Sequence, residues 1–175
     1  MYSNWVSARC NIGFADLYDW SQYPSEGAGV ESVAVPPGRT PPKRDPAANG
    51  LLCSANDQKI AVFRFGDKAY ATDYKCPHLG KDLGCLTCFR LLIQFGVGGP
   101  LHMGEIEMLP DNSLCIRCPW HGWKFALDSG KCVRSNDSSK PHSVKAYPIK
   151  IDYETGELSA GFGTISPRYF NDPSF

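Results

Sequence analysis

The sequence has no excess of charge of either sign. Its 18 lysine and arginine residues balance 18 aspartate and glutamate residues in a chain of 175 residues. A protein that attracts nucleic acid or anionic lipid through its net field needs a basic surplus, and this chain has none. We therefore expect neither nucleic acid nor an anionic membrane surface among its partners.

Long hydrophobic runs are also missing. The longest, at 91–93 with Phe95 close by, is far shorter than the roughly 20 apolar residues that cross a bilayer. Residues 1–10 lack the charged and then apolar layout of a secretory signal, and Asp16 and Asp19 follow early. The sequence thus predicts no membrane span and favours a soluble protein of the cytoplasm.

Eight cysteines raise the question of a secreted disulfide framework. The missing signal argues against one, and two of the cysteines stand at metal-ligand spacing from histidines. We interpret Cys85 and Cys88 as ordinary thiols, with a zinc or disulfide role as the alternative. The others show no regular framework and read as small hydrophobes or free thiols in a reducing compartment: Cys10, Cys53, Cys115 and Cys132.

No stretch shows the apolar periodicity of an ordinary helix, whereas short β-rich stretches alternate with turns. Turn residues Gly66-Asp67, Asp128-Ser-Gly130 and Glu154-Thr-Gly156 separate several of these stretches. The sequence therefore predicts an all-β protein. The expected strands cover 59–65, 68–74, 113–117, 123–127, 147–153 and 157–162.

Proline content divides the chain into segments. Five prolines fall within residues 36–46, which favours an extended linker because proline fixes φ and removes a backbone donor. We expect residues 1–50 to be a poorly ordered N-terminal segment that contains this linker. The folded domain is predicted to cover 51–163 and to be followed by a tail at 164–175.

Two short motifs carry the candidate chemistry. The first is Cys-Pro-His-Leu-Gly at 76–80, and the second is Cys-Pro-Trp-His-Gly-Trp at 118–123. Each supplies one thiolate and one imidazole, with glycine following the histidine directly or one residue later. Zinc sites more often take a cysteine pair from one segment and a histidine pair from another. A zinc site built from the same residues remains an alternative.

These loops resemble those of the Rieske family, as do the strings at 99–104, 128–131 and 146–151. The resemblance implies stacked antiparallel sheets with a small cluster-binding subdomain and one [2Fe-2S] cluster per chain. It implies that Cys76 and Cys118 hold one iron and that His78 and His121 hold the other. A third loop that covers the cluster would include Pro141.

The spacing between the loops departs from the family pattern. There are 39 residues between His78 and Cys118. The excess maps to 81–98, because removing these 18 residues rejoins 76–80 to 99–104 as a continuous first loop. We interpret this segment as an insertion or a retained intron. Long loops add little entropic penalty, so it can bulge outward without moving the first loop, or it can disturb the wall that shields the cluster.

The function that the resemblance implies is electron transfer rather than catalysis. The protein would pass single electrons from a reductase to an acceptor such as an oxygenase. High-potential relatives place a hydroxyl residue where Trp123 stands, so we expect a potential in the low part of the Rieske range.

Two other functions stay open. One is a cluster-free or zinc-binding Rieske-like subunit. The other is a catalytic oxygenase component, which needs a mononuclear iron held by two histidines and a carboxylate. The chain has four histidines, of which His102 and His142 would remain for that iron, and both read as loop residues. It also shows no large C-terminal domain for such a centre.

Overall fold

The protein is described by a computed structural model that covers residues 4–10, 13–22, 50–77, 98–119, 122–133 and 143–168. These residues form short β-strands and three 3₁₀ turns, at Phe14–Asp16, Trp20–Gln22 and Leu101–Met103. The strands are β1 Asn4–Ser7, β2 Leu51–Ala55, β3 Gln58–Phe65, β4 Lys68–Asp73, β5 Glu105–Met108, β6 Leu114–Arg117, β7 Lys124–Ala126, β8 Ala146–Tyr147, β9 Ile149–Ile151 and β10 Leu158–Phe162.

The all-β prediction is confirmed. Across the described ranges, helical structure is limited to these three 3₁₀ turns and to a 3₁₀ conformation at 167–168. The strands form three antiparallel sheets, with strand orders β1-β10-β9, β2-β3-β4-β8 and β5-β6-β7. The same part of the chain contains no helix of the length and apolar character that a membrane crossing requires.

Strand β3 supplies side chains to two separate cores. Residues 60–63 are all fully buried, so the strand has no solvent-facing side over this stretch. Successive side chains of a strand point to opposite faces. Ile60 and Val62 accordingly join the first core, and Ala61 and Phe63 join the second. The central sheet is therefore covered on both faces.

The second core contains both candidate cysteines. It brings Phe63 of β3 together with Ile116 of β6 and Phe125 of β7, which places the β5-β6-β7 sheet over one face of the central sheet. Cys76 and Cys118 belong to this same core. The fold thus brings together two loops that lie about 40 residues apart in the sequence.

The N-terminal segment contributes to the fold, which the sequence did not predict. Strand β1 pairs with β10 over four residues, including Val6 with Ala160. Val6 and Phe14 lie buried in the first core. The expected disorder of residues 1–50 is therefore wrong for 4–10 and 13–22. A four-residue strand whose partner lies more than 150 residues away leaves no local signal in the sequence.

A disulfide also corrects the sequence interpretation. Cys10 and Cys53, expected to be small hydrophobes or free thiols, are bonded to each other across a sequence separation of 43 and with a Cα–Cα distance of 4.8 Å. The backbone N–H of Arg9 donates a 2.8 Å hydrogen bond to the carbonyl of Ser54, which holds the two cysteines side by side. The free thiols expected at two other positions are confirmed: Cys115 and Cys132.

Proline interrupts the predicted strand at 147–153. Strand β8 ends at Tyr147 and pairs with β4, whereas β9 begins at Ile149 and pairs with β10. Pro148 stands at the change of sheet, since it has no N–H to continue a ladder. Tyr153, expected in the half-buried strand, lies in the following turn and is 72% exposed.

The predicted domain boundaries remain predictions. The proline-rich stretch at 36–46, the pair Cys85 and Cys88, and most of the tail lie outside the described residues.

Candidate metal centre

The first loop begins at a buried cysteine beyond the end of β4. Cys76 is 2% exposed. Its backbone N–H donates a 2.9 Å hydrogen bond to the carbonyl of Gly99, and the N–H of Leu101 donates a 2.7 Å bond to the carbonyl of Tyr74. Two hydrogen bonds therefore hold the chain that enters the loop against the chain that leaves it.

Glycine is required where the loop closes. Gly98 has φ of +110°, and a Cβ at this position would lie 2.7 Å from the carbonyl oxygen of Cys76. A side chain here would meet both backbone strain and a collision. The insertion predicted at 81–98 thus ends directly against the first candidate ligand, while its residues 81–97 lie outside the described part of the chain.

The second loop is a tight connection between β6 and β7. Cys118 is 1% exposed. Its N–H donates a 2.7 Å hydrogen bond to the carbonyl of Trp123, and its carbonyl accepts a 2.9 Å bond from the N–H of Gly122. Gly122 has φ of +67°, a left-handed conformation that glycine adopts readily. The backbone on both sides of the candidate histidine is therefore fixed.

The two loops are joined through the start of β5. After the first loop, the chain passes Leu101 and reaches Gly104, whose Cα packs so closely on the carbonyl of Arg117 that a Cβ would collide with it. Glu105 then pairs with Arg117, the residue before Cys118. The pairing of β5 with β6 thus connects the end of the first loop to the start of the second loop.

The four predicted ligands are only partly described. Cys76 and Cys118 are buried in one core, as a shared site requires. His78 and His121 lie outside the described residues, so the ligand set remains a prediction. Within the described ranges, no group of three or more histidine, cysteine or acidic side chains is placed to hold a metal.

Charged side chains brace the sheet that carries the second loop. Glu107 lies 2.5 Å from the Lys124 ammonium and 3.5 Å from the Arg117 guanidinium, which links β5, β6 and β7. The Arg117 guanidinium also lies 3.8 Å from the position that a Cβ on Gly122 would occupy. A positive charge therefore stands beside the tip of the second loop, a feature that sequence reasoning missed.

Burial keeps two other titratable side chains in their neutral forms. Burial and the Glu107 carboxylate raise the pKa of Cys115 to about 11, so its thiol stays protonated and is a poor metal ligand. His102 lies in the 3₁₀ turn, and its Nδ1 is buried without a hydrogen-bond partner among the described residues. Desolvation lowers the pKa of His102. The sequence interpreted it as a loop residue rather than a ligand.

A model of the Rieske [2Fe-2S] domain matches residues 51–148, which include all four predicted ligands. The chain belongs to the Rieske [2Fe-2S] domain family. This confirms the resemblance drawn from the two loops. A Rieske domain implies a [2Fe-2S] cluster and a role in electron transfer.

Two curated relatives each match about half of this chain. The Rieske domain-containing protein of Homo sapiens is 30% identical over 95 residues, which are 54% of this chain and 48% of that protein. Cholesterol 7-desaturase nvd of Xenopus laevis is 35% identical over 83 residues, 47% of this chain and 13% of that protein. The match therefore spans less than half the length of either relative.

Solved structures support the fold assignment. A protein assigned as the small subunit of the NADH-dependent nitrite reductase of Mycobacterium tuberculosis superposes with a TM-score of 0.54 at 17% identity, covering 93% of this chain and 97% of that one. The ferredoxin of carbazole 1,9a-dioxygenase from Nocardioides aromaticivorans IC177 gives a TM-score of 0.50 at 17% identity, with 89% and 96% covered. At this identity the comparisons show a shared fold.

Proposed function

We propose that this protein is a one-electron carrier in which Cys76, His78, Cys118 and His121 hold one [2Fe-2S] cluster. The main support is the burial of Cys76 and Cys118 in one core, each at the foot of a loop whose sequence supplies a histidine. Membership of the Rieske family independently implies the cluster.

The chemistry of the described donors fits such a cluster. When bound, the cluster supplies reversible one-electron oxidation and reduction. Cys76 and Cys118 would provide the two thiolates, and their near-complete burial keeps water from the sulfur atoms. Backbone hydrogen bonds at both cysteines fix the positions from which the two sulfur donors project.

The surroundings of the second loop support a low potential. Mixed cysteine and histidine ligation gives Rieske centres potentials from roughly −150 to +300 mV. Trp123 brings an indole rather than a hydroxyl to the position after the second His-Gly, and its ring packs near Phe125 at a centroid distance of 6.5 Å. We expect a potential in the lower part of this range, and a strongly positive value in a redox titration would contradict that.

The proposed partners are a reductase that donates electrons and an acceptor such as an oxygenase. The fold shared with a dioxygenase ferredoxin and with a nitrite reductase subunit supports a small carrier within a larger redox system. A location in the cytoplasm is proposed with this role.

A second candidate is the electron-transfer domain of a larger oxygenase-type enzyme. The 35% identity to a cholesterol 7-desaturase favours it. In that case the acceptor would be a catalytic centre outside the region matched here. Electron transfer through the same four residues is common to both candidates.

Metal and sulfide analysis of the purified protein tests the proposal. We expect iron and acid-labile sulfide in equal amounts, a red-brown colour, and uptake of one electron per chain in a reductive titration. Cys76→Ser and Cys118→Ser should each abolish the colour, whereas Cys132→Ser should retain it. A colourless protein that binds zinc would overturn the proposal in favour of the zinc-binding alternative.

A further inference from the structure

Two lysines surround a tyrosine just before the first candidate ligand. The Lys59 ammonium lies 5.9 Å from the centroid of the Tyr74 ring, and the Lys75 ammonium lies 5.2 Å from it. Both distances are within the range of a cation–π interaction. Both lysines are exposed, and Tyr74 is half-buried. We call these three residues the lysine surface.

The lysine surface adjoins the buried candidate site. Tyr74 packs against the second core, which contains Cys76 and Cys118. Its carbonyl also accepts the hydrogen bond from Leu101 that closes the first loop. A partner that touches the Tyr74 ring would therefore contact a side chain that packs against the core containing both cysteines.

The acidic side chain next to Tyr74 in the sequence is hydrogen-bonded to neutral donors. The Asp73 carboxylate accepts a 2.8 Å hydrogen bond from the backbone N–H of Lys145 and another of 2.8 Å from the Tyr147 hydroxyl. The exposed Lys145 ammonium lies 4.8 Å from the ring centroid of Tyr147, which belongs to the first core, and is not part of the lysine surface. Tyr74 therefore has two ammonium groups over its ring beside the single carboxylate of Asp73.

Acidic residues collect at the opposite end of the strands. Asp67 lies in the β3–β4 turn, and Asp128 lies in the turn after β7. Both line one cavity with Lys68 and with Asn112 of the β5–β6 turn, so these turns meet at the end away from Cys76 and Cys118. Two carboxylates therefore lie beside one lysine at this end of the strands, whereas the lysine surface lies next to the core that contains the candidate cysteines.

We propose that the lysine surface is the docking site for an acidic patch on a redox partner protein. Complementary charge speeds diffusional encounter and fixes orientation more than it adds affinity, which suits a carrier that must bind and leave quickly. The inference rests on the proposed electron-transfer role for the nature of the partner, but the surface itself does not require the cluster.

A fluorescein-labelled peptide of ten glutamates, measured by fluorescence anisotropy at low ionic strength, probes the surface. The full-length protein should bind it, and added salt should weaken the binding because exposed charges are screened. The double variant Lys59→Gln/Lys75→Gln should weaken binding by about three- to tenfold, as expected for two exposed ion pairs.

A matched double variant keeps this test specific. Lys150 is also exposed and lies 3.9 Å from the ring centroid of Trp5, but it belongs to β9 on another sheet. Lys68 is exposed beside the β3–β4 turn. Lys68→Gln/Lys150→Gln removes the same charge and should leave peptide binding unchanged. An equal loss of peptide binding in both double variants, or no loss of binding in either, would overturn the inference.

The iron analysis described above separates this inference from the proposed function. If the protein binds the peptide through Lys59 and Lys75 but contains no cluster, the electron-carrier role fails and the acidic docking surface stands. If the cluster is present and the Lys59→Gln/Lys75→Gln variant binds the peptide as the original protein does, the docking surface fails alone.

Discussion

The backbone N–H of Cys76 donates a 2.9 Å hydrogen bond to the carbonyl of Gly99, although 22 residues separate them. Lys75 and Pro100 pair as an antiparallel bridge directly beyond this bond. The two ends of the segment between Cys76 and Gly99 are therefore held side by side. The insertion predicted at 81–98 is compatible with this anchor of the first loop.

Removal of residues 81–98 should leave the fold intact. The deletion shortens this segment from 22 residues to four and brings Gly80 next to Gly99, so a glycine still stands at the position that Gly98 occupies against the Cys76 carbonyl. Loop-closure entropy then predicts a gain of about 1.5 kcal/mol in the free energy of unfolding. Urea unfolding followed by tryptophan fluorescence measures this gain.

A same-length control separates loop length from loop sequence. Replacing residues 83–95 with glycine and serine should leave both stability and iron content near those of the original chain. Loss of the folded state on deletion would show that the insertion contributes to the core.

Reduction of the Cys10–Cys53 disulfide should destabilise the protein by about 2–4 kcal/mol, since the crosslink restricts the unfolded chain. Dithiothreitol should lower the urea midpoint of the original protein. It should leave the midpoint of a Cys10→Ala/Cys53→Ala variant unchanged. Cys53 lies in the first core, away from Cys76 and Cys118 in the second. Iron content should therefore survive, and its loss on reduction would contradict the separation of the two cores.

Gly130→Ala should be far more damaging than Gly66→Ala. Both glycines have positive φ, +71° and +60°. A Cβ on Gly130 would collide with the carbonyl of Val144, whereas at Gly66 the nearest atom is 4.0 Å away. We expect a loss of about 1–2 kcal/mol at Gly66 from backbone strain and about 3–5 kcal/mol at Gly130. Equal losses of stability in the two variants, measured by thermal unfolding, would contradict the close contact between Gly130 and the Val144 carbonyl.

His102 should make the fold sensitive to mild acid. Desolvation lowers its pKa in the folded protein, so the unfolded chain binds the proton more tightly. Stability contributed by neutral His102 is therefore present above about pH 6.5, its ordinary pKa, and is lost as the pH falls below it. His102→Gln should flatten the decline in unfolding free energy between pH 7 and pH 5. If the unfolding free energy of His102→Gln fell with pH as steeply as that of the original protein, the desolvated, neutral state of His102 would be contradicted.

Local sequence patterns predicted much of the central fold. The β3–β4 hairpin was expected at 59–65 and 68–74 and is observed at 58–65 and 68–73. Its β-rich residues flank Gly66-Asp67, so propensity and turn chemistry agree. Strands β6 and β7 were likewise expected to within one residue at each end.

Long-range features left no comparable signal. Strand β1 gains its stability from pairing with β10, and the Cys10–Cys53 bond depends on the bridge between Arg9 and Ser54. The change of sheet at Pro148 also depends on which partner each half finds. At the candidate site, spacing and residue type indicated Cys76 and Cys118, but the Arg117 charge beside the second loop depends on the β6–β7 register.

The central claim is that two histidines from different loops bind the iron. Pulsed EPR on the reduced protein, prepared with ¹⁵N-labelled histidine, tests it directly. The account predicts hyperfine couplings from two coordinated imidazole nitrogens, with the signal abolished in His78→Ala and His121→Ala and retained in His102→Gln. A cluster signal without nitrogen coupling, or a protein containing only zinc, would contradict it.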